Sequence, residues 1–176
     1  LYEGVELDGE TVGLITYMRT DSVTLSKDAI ASLRDEIQSS YGREYVPAEP
    51  RIYVTKAKNA QEAHEAIRPT DAARRPHELP RGVGNEERQL YDLIWRRTMA
   101  AEMESAQLDQ TGVDLASDDG KVVLRASGAV IVFDGFLKLY REDRDDPANG
   151  DDEGEGRRLP EIREGDLATI SAPVDY

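Results

Sequence analysis

Leu14-Ile15-Thr16-Tyr17-Met18-Arg19-Thr20-Asp21-Ser22 is the stretch around which the chain is organised. An apolar run delivers a tyrosine, and an arginine, two hydroxyls and a carboxylate follow within five positions. In that company the Tyr17 hydroxyl is a candidate nucleophile and Arg19 a candidate anion clamp. Taken alone, a Tyr-x-Arg more often marks a short strand with a half-buried tyrosine and a polar helix cap after it, because tyrosine is commonly core or interface. Residues elsewhere must decide between the two.

Working outward, the first residues read as a helix end and loop, and Thr11 to Thr16 as a short extended run. Ser26 is a good N-cap, with Asp28 in the first turn where a negative charge suits the helix dipole. Ile30, Leu33, Ile37 and Tyr41 follow at helical spacing, and Gly42 closes that helix. Pro47 and Pro50 mark an extended connection to Tyr53. Asn59 opens a second predicted helix, with Glu62 completing a capping-box pattern, and Pro69 stops it near Arg68. Residues 69–84 are a loop rich in proline and arginine. Asn85 caps a third helix running to about Met103, with Leu90, Leu93, Ile94 and Trp95 on its buried side.

The period changes after Ser105. Thr111, Val113 and Leu115 alternate with polar residues, Asp118-Asp119-Gly120 is a turn, and Val122 and Leu124 resume the alternation, which predicts a β-hairpin. Further strands are expected at Val130 to Phe133, Phe136 to Tyr140, Leu159 to Ile162 and Leu167 to Ser171. The pattern predicts an α+β fold, with a mostly helical domain at 1–104 and an antiparallel β portion at 105–176. An acidic loop at 143–156 lies within the β portion.

Composition excludes several classes. The chain has 176 residues, 39% hydrophobic and 33% charged, and no cysteine, so disulfides, thiol catalysis and the common zinc sites are ruled out. No apolar run approaches the roughly 20 residues needed to cross a bilayer. No signal peptide is evident, and a start at Leu1 rather than Met suggests an excised fragment. The net charge of −14 argues against a broad nucleic-acid face. Its distribution matters more than its sum. Residues 143–156 carry seven acids against one arginine, whereas Arg51 to Arg75 carries six bases against three acids, a local cationic window in an acidic chain.

That window holds His64 and Arg68, which a helix would place on one face with Gln61, about 100° from Glu65. An imidazole and a guanidinium on one edge suit a phosphate: arginine gives a permanent fork-shaped charge, and histidine donates a hydrogen bond or a proton. A tyrosine has a free pKa of about 10 and needs such help to attack a phosphodiester at neutral pH. Arg19, His64 and Arg68 are the residue types for that task. No metal site suggests itself, because the acidic pairs Asp145-Asp146 and Asp151-Asp152 sit among Gly and Pro.

Gly13-Leu-Ile-Thr-Tyr17-Met-Arg19-Thr-Asp-Ser22 resembles the active-site tyrosine motif of the bacterial type IA DNA topoisomerases. Gln61-Glu-Ala-His64-Glu-Ala-Ile-Arg68-Pro69-Thr70 resembles the second signature of that family, at the expected separation. Tyr91 to Trp95 and Gly128 to Phe136 also fit, so the resemblance covers nearly the whole chain. Met18 fits the topoisomerase I branch rather than topoisomerase III or reverse gyrase.

The resemblance implies roles residue by residue. Tyr17 would attack a single-strand phosphodiester, forming a 5'-phosphotyrosine and releasing a 3'-hydroxyl. Arg19 would hold the scissile phosphate, and His64 would assist charge or proton movement. Thr20, Asp21 and Arg68 would support the site or contact DNA. The helical half would be the gate-forming tyrosine domain and the β half part of the arch. The resemblance further implies a cytoplasmic enzyme, at the bacterial nucleoid, that relaxes negatively supercoiled DNA without ATP. Its Mg²⁺ would be held by a Toprim region absent from this sequence, so the chain alone is expected to be inactive. A different reading is a non-catalytic interaction module whose acidic loop binds a basic partner, with Tyr17 as plain core. An exposed Tyr17 hydroxyl near Arg19 and His64 favours the enzyme, and a buried one bonded to backbone favours the module.

Overall fold

The computed structural model describes residues 1–7, 9–53, 64–139, 159 and 162–169. The fold is α+β, two helices with two separate antiparallel sheets among the described residues. The chain divides into two compact units, one of residues 1–105 with 135–142, the other of residues 106–134 with 143–176.

The first unit opens with a hairpin. Strand β1 (Val5–Leu7) pairs antiparallel with β2 (Glu10–Val12), Val5 opposite Val12. The sequence reading of a helix end here is therefore corrected. Gly9 supplies the positive φ of 89° that a tight reversal between two short strands requires. Helix α1 (Lys27–Tyr41) has Ser26 as its N-cap, whose side chain accepts the Ala29 amide, and it buries Ala29, Leu33 and Ile37. Gly42 terminates it with φ 112°. Helix α2 (Asn85–Glu102) buries Tyr91, Trp95, Met99 and Ala100, whereas Leu90 and Leu93, expected on its buried side, stand exposed. Its cap is Gly84, one residue before the expected Asn85: the Glu87 carboxylate reaches back to accept the Gly84 amide at 2.9 Å.

The core of this unit joins Leu14, Ile15, Leu33, Ile37, Val46, Ala72, Leu79, Val83, Tyr91, Trp95, Met99 and Met103. Two polar tips pin the Pro/Arg-rich loop onto α2. The Tyr91 hydroxyl donates to the Arg74 carbonyl at 2.8 Å, and the Trp95 indole N–H donates to the Ala72 carbonyl at 2.9 Å. Burial, eased by Arg74, pushes the Tyr91 hydroxyl up to about 12. Glu102 is fully buried, and neither carboxylate oxygen has a hydrogen-bond partner among the described residues. Burial raises its carboxyl above the ordinary value, against the opposing pull of Arg51 and Arg34.

In the second unit, β3 (Gln107–Ala116) pairs antiparallel with β4 (Val123–Phe133), Leu115 opposite Leu124 and Val113 opposite Ala126. Here the sequence pattern predicted broken strands. Both strands run longer because Gly112, Ala126, Gly128 and Ala129 interrupt the alternation without interrupting the ladder. The strand expected at Phe136 to Tyr140 is not one: Gly135–Lys138 is a turn of 3-10 helix. Gly135 has φ 49°, which ends the extended run, and the Phe136 amide turns to donate to the Glu104 carbonyl at 2.9 Å. Residues 162–169 hold a turn at Glu164-Gly165 and no strand, and residues 170–171 lie outside the described residues. So does the acidic stretch 143–156.

Candidate functional site

Two short segments build the site. Leu14 and Ile15 are buried and anchor the first in the core. Ile15 faces Pro69 in an isolated antiparallel bridge. The Thr16 amide donates to the Arg68 carbonyl at 2.9 Å, and the Thr70 amide donates to the Leu14 carbonyl at 3.0 Å. The Thr16 hydroxyl donates to the Ala66 carbonyl at 2.7 Å and accepts the Arg68 amide at 2.9 Å. Thr70 adds a bond from its hydroxyl to the Gly13 carbonyl at 2.7 Å. Residues 64–68 are thereby held alongside residues 14–17.

This pairing corrects one expectation. Residues 64–68 are irregular, with a bend at Ile67, rather than helical, so His64 and Arg68 do not share a helix face. Their backbone donors and acceptors are used by Thr16 and Thr24 instead of by a helical ladder. The predicted residues 59–63, with Gln61, lie outside the described residues.

Tyr17 is 51% exposed. Its ring meets Tyr2 edge-on, centroids 5.3 Å apart, and lies 6.2 Å from the His64 ring at 36°. The Arg19 amide donates back to the Tyr17 carbonyl at 2.8 Å, a tight turn that sends the guanidinium toward Asp21. Arg19 Nε is 2.6 Å from Asp21 Oδ2, and His64 Nδ1 is 4.0 Å from Asp21 Oδ1. The last distance is too long for a direct hydrogen bond, and both atoms are buried without a partner among the described residues. Asp21 thus stands between the arginine and the histidine. Thr20 is exposed in the turn. Arg68 is set apart: its guanidinium donates to the Pro69 carbonyl at 2.8 Å and to Glu65 Oε2 at 3.0 Å.

The arrangement brings together Tyr17, Arg19, Asp21 and His64, and leaves Arg68 as an internal tie. Sequence reading missed Tyr2 and Glu65. Tyr2 carried no signal, lying 15 positions before Tyr17 across a hairpin. Glu65 did: a carboxylate between His64 and Arg68 is a ready partner for that arginine. Among the described residues no three His, Cys, Asp or Glu side chains gather in a way that could hold a metal. The described residues thus offer no such ligand set for a Mg²⁺ ion. Nor is any described helix long and apolar enough to cross a membrane.

Comparison with known proteins fixes the class first. A family model described as DNA topoisomerase matches residues 1–174, and the chain belongs to that family. Its relatives narrow the class to one kind of topoisomerase. The chain is 51% identical over 164 residues to DNA topoisomerase 1 of Rickettsia conorii, covering 93% of this chain and 21% of that protein. It is 50% identical over 167 residues to DNA topoisomerase 1 of Xylella fastidiosa (strain Temecula1), covering 94% of this chain and 20% of that protein. The solved structure of full-length topoisomerase I from Thermotoga maritima superposes with a TM-score of 0.68 at 34% identity, covering 88% of this chain and 24% of that one. The chain spans about a fifth of the length of these curated relatives.

Proposed function

We propose that this chain is the nucleophile-bearing portion of a type IA DNA topoisomerase I. The observation that carries the reading is the half-exposed Tyr17 ring standing beside His64, with the Arg19–Asp21 pair in the turn that follows it. A core tyrosine of an interaction module would be buried with its hydroxyl bonded to backbone, as Tyr91 is.

The chemistry follows from those groups. The Tyr17 hydroxyl attacks the phosphorus of a single-stranded segment of negatively supercoiled DNA. The Tyr17 O–P bond forms, the P–O3' bond breaks, and the proton given up by tyrosine is matched by one taken up at the departing 3'-oxygen. Storing the phosphodiester as a 5'-phosphotyrosine makes religation the reverse step, so no ATP is consumed. Arg19 neutralises charge on the phosphoryl oxygens. Its guanidinium is held on Asp21, so an incoming phosphate competes with that carboxylate and draws the arginine toward Tyr17. His64 holds or passes a proton through its imidazole, whose Nδ1 faces Asp21 Oδ1 at 4.0 Å. Thr20 and Asp21 support the turn.

Mg²⁺ belongs to another part of the full polypeptide in this reading, and no step depends on it here. The chain on its own neither cleaves nor relaxes DNA, and the complete enzyme works in the cytoplasm at the nucleoid. Tyr17→Phe in the full-length polypeptide is expected to abolish covalent DNA adducts, measured by trapping on labelled single-stranded oligonucleotide. Adducts that persist at wild-type level would remove Tyr17 from the reaction.

A further inference from the structure

Helix α1 begins at Ser26, whose hydroxyl accepts the Ala29 amide at 3.2 Å. In a local capping box the residue three positions on accepts the N-cap amide in return. Ala29 has no side-chain acceptor to do so. The acceptor comes instead from 39 residues away: the Ser26 amide donates to Glu65 Oε1 at 2.8 Å. The other oxygen, Oε2, accepts from Arg68 at 3.0 Å. Burial pushes the Glu65 carboxyl up, but the bonds from Arg68 and Ser26 outweigh it and leave the group below its ordinary range. The carboxylate is therefore charged at neutral pH, at the positive end of a 15-residue helix.

Glu65 is the residue after His64. Its neighbour Ala66 donates its amide to the Thr24 carbonyl at 2.8 Å and accepts the Thr16 hydroxyl at 2.7 Å. Those two bonds tie the segment to residues 16 and 24. The Glu65 carboxylate adds the tie to the first residue of a packed helix, one position from the imidazole. Arg68, held by the same carboxylate, fixes the far end of the segment.

We propose that Glu65 is a positioning residue, which sets where His64 stands beside Tyr17 by completing the N-terminal cap of helix α1 from a distance. The proposal rests on the reading of Tyr17 as nucleophile and His64 as its helper. Glu65 acts through His64 and has no role of its own at the phosphate.

The test uses the full-length polypeptide, a labelled single-stranded oligonucleotide and single-turnover adduct formation. Glu65→Ala and Glu65→Gln are each made with His64 and with His64→Ala. Glu65→Ala is expected to slow cleavage by about tenfold to a hundredfold, the cost of a misplaced catalytic group, with oligonucleotide affinity unchanged. Glu65→Gln keeps an acceptor for the Ser26 amide and is expected to recover most of the rate. With His64→Ala, replacing Glu65 is expected to change the rate by less than about twofold, since residues acting as a unit are not additive. A wild-type rate in Glu65→Ala overturns the proposal. So does an equal loss with and without His64, which is the mark of a merely structural residue. Should Glu65→Ala fail to fold, the same comparison is made with Glu65→Ser, whose short side chain does not reach the Ser26 amide. Adducts formed by Tyr17→Phe break the underlying reading separately, whatever Glu65 does.

Discussion

The hairpin β3–β4 and the helical core of the first unit are built on opposite principles. The core gathers residues from positions as far apart as Leu14 and Met103 and buries them almost completely. The hairpin is long and paired along its length apart from one irregularity at Val132, yet none of its residues is buried, and Leu124, Val123 and Val132 stand exposed. The first holds by removing apolar surface from water, the second by its ladder and turn. Tyr17 draws on the first kind of support, sitting three residues after Leu14, which has no exposed surface at all.

The largest break in that contrast is expected from Met99→Ala, which empties a fully buried position and should destabilise the helical unit by about 2–5 kcal/mol. Urea unfolding followed by fluorescence measures it directly, because Trp95 is the only tryptophan and lies in the same core. A smaller loss would mean that the core relaxes around the gap.

Glu102→Gln is expected to act in the other direction. A carboxyl whose folded pKa is raised binds its proton more tightly in the folded state, so its cost is absent below the ordinary value of 4.5 and grows as pH rises through and above it. The glutamine should add about 1–2 kcal/mol at pH 7 and flatten the dependence of unfolding free energy on pH from about 4 upward. An unchanged slope would show that Glu102 is ionised and paired in solution.

The smallest effect is expected from Leu124→Ala on the hairpin, under about 1 kcal/mol, as for a cross-strand pair open to water. Amide hydrogen exchange of β3 and β4 reads it. A loss as large as that of Met99→Ala would mean that this face is covered, and the contrast between the two regions would fail.

Much of this organisation was legible in sequence. Helix α1 announced itself through Ser26, the Ile30–Leu33–Ile37 spacing and Gly42, and Tyr17-x-Arg19 with the His64 string marked the residues to watch. What failed did so for physical reasons. His64 to Arg68 has a helical pattern, but Thr16 and Thr24 supply its backbone partners from a loop segment about 40 to 50 residues earlier, and no local rule sees them. The hairpin at 5–12 was hidden because each strand has only three residues. Phe136 reads as β by propensity and is captured by the Glu104 carbonyl. The cap on Ser26 is half local and half 39 residues distant, so sequence revealed only its first half.

One detail of the bridge carries a consequence for solubility. Pro69 stands opposite Ile15 at a position where the flanking bonds run from Thr16 and from Thr70, so its missing N–H costs the pairing nothing. On the outward side, that same missing donor leaves a gap that another chain cannot bond to. The ribbon that presents Tyr17 is therefore pinned from within by Thr16 and Thr70, while at Pro69 its outer side lacks one donor that a second molecule would need to extend the pairing.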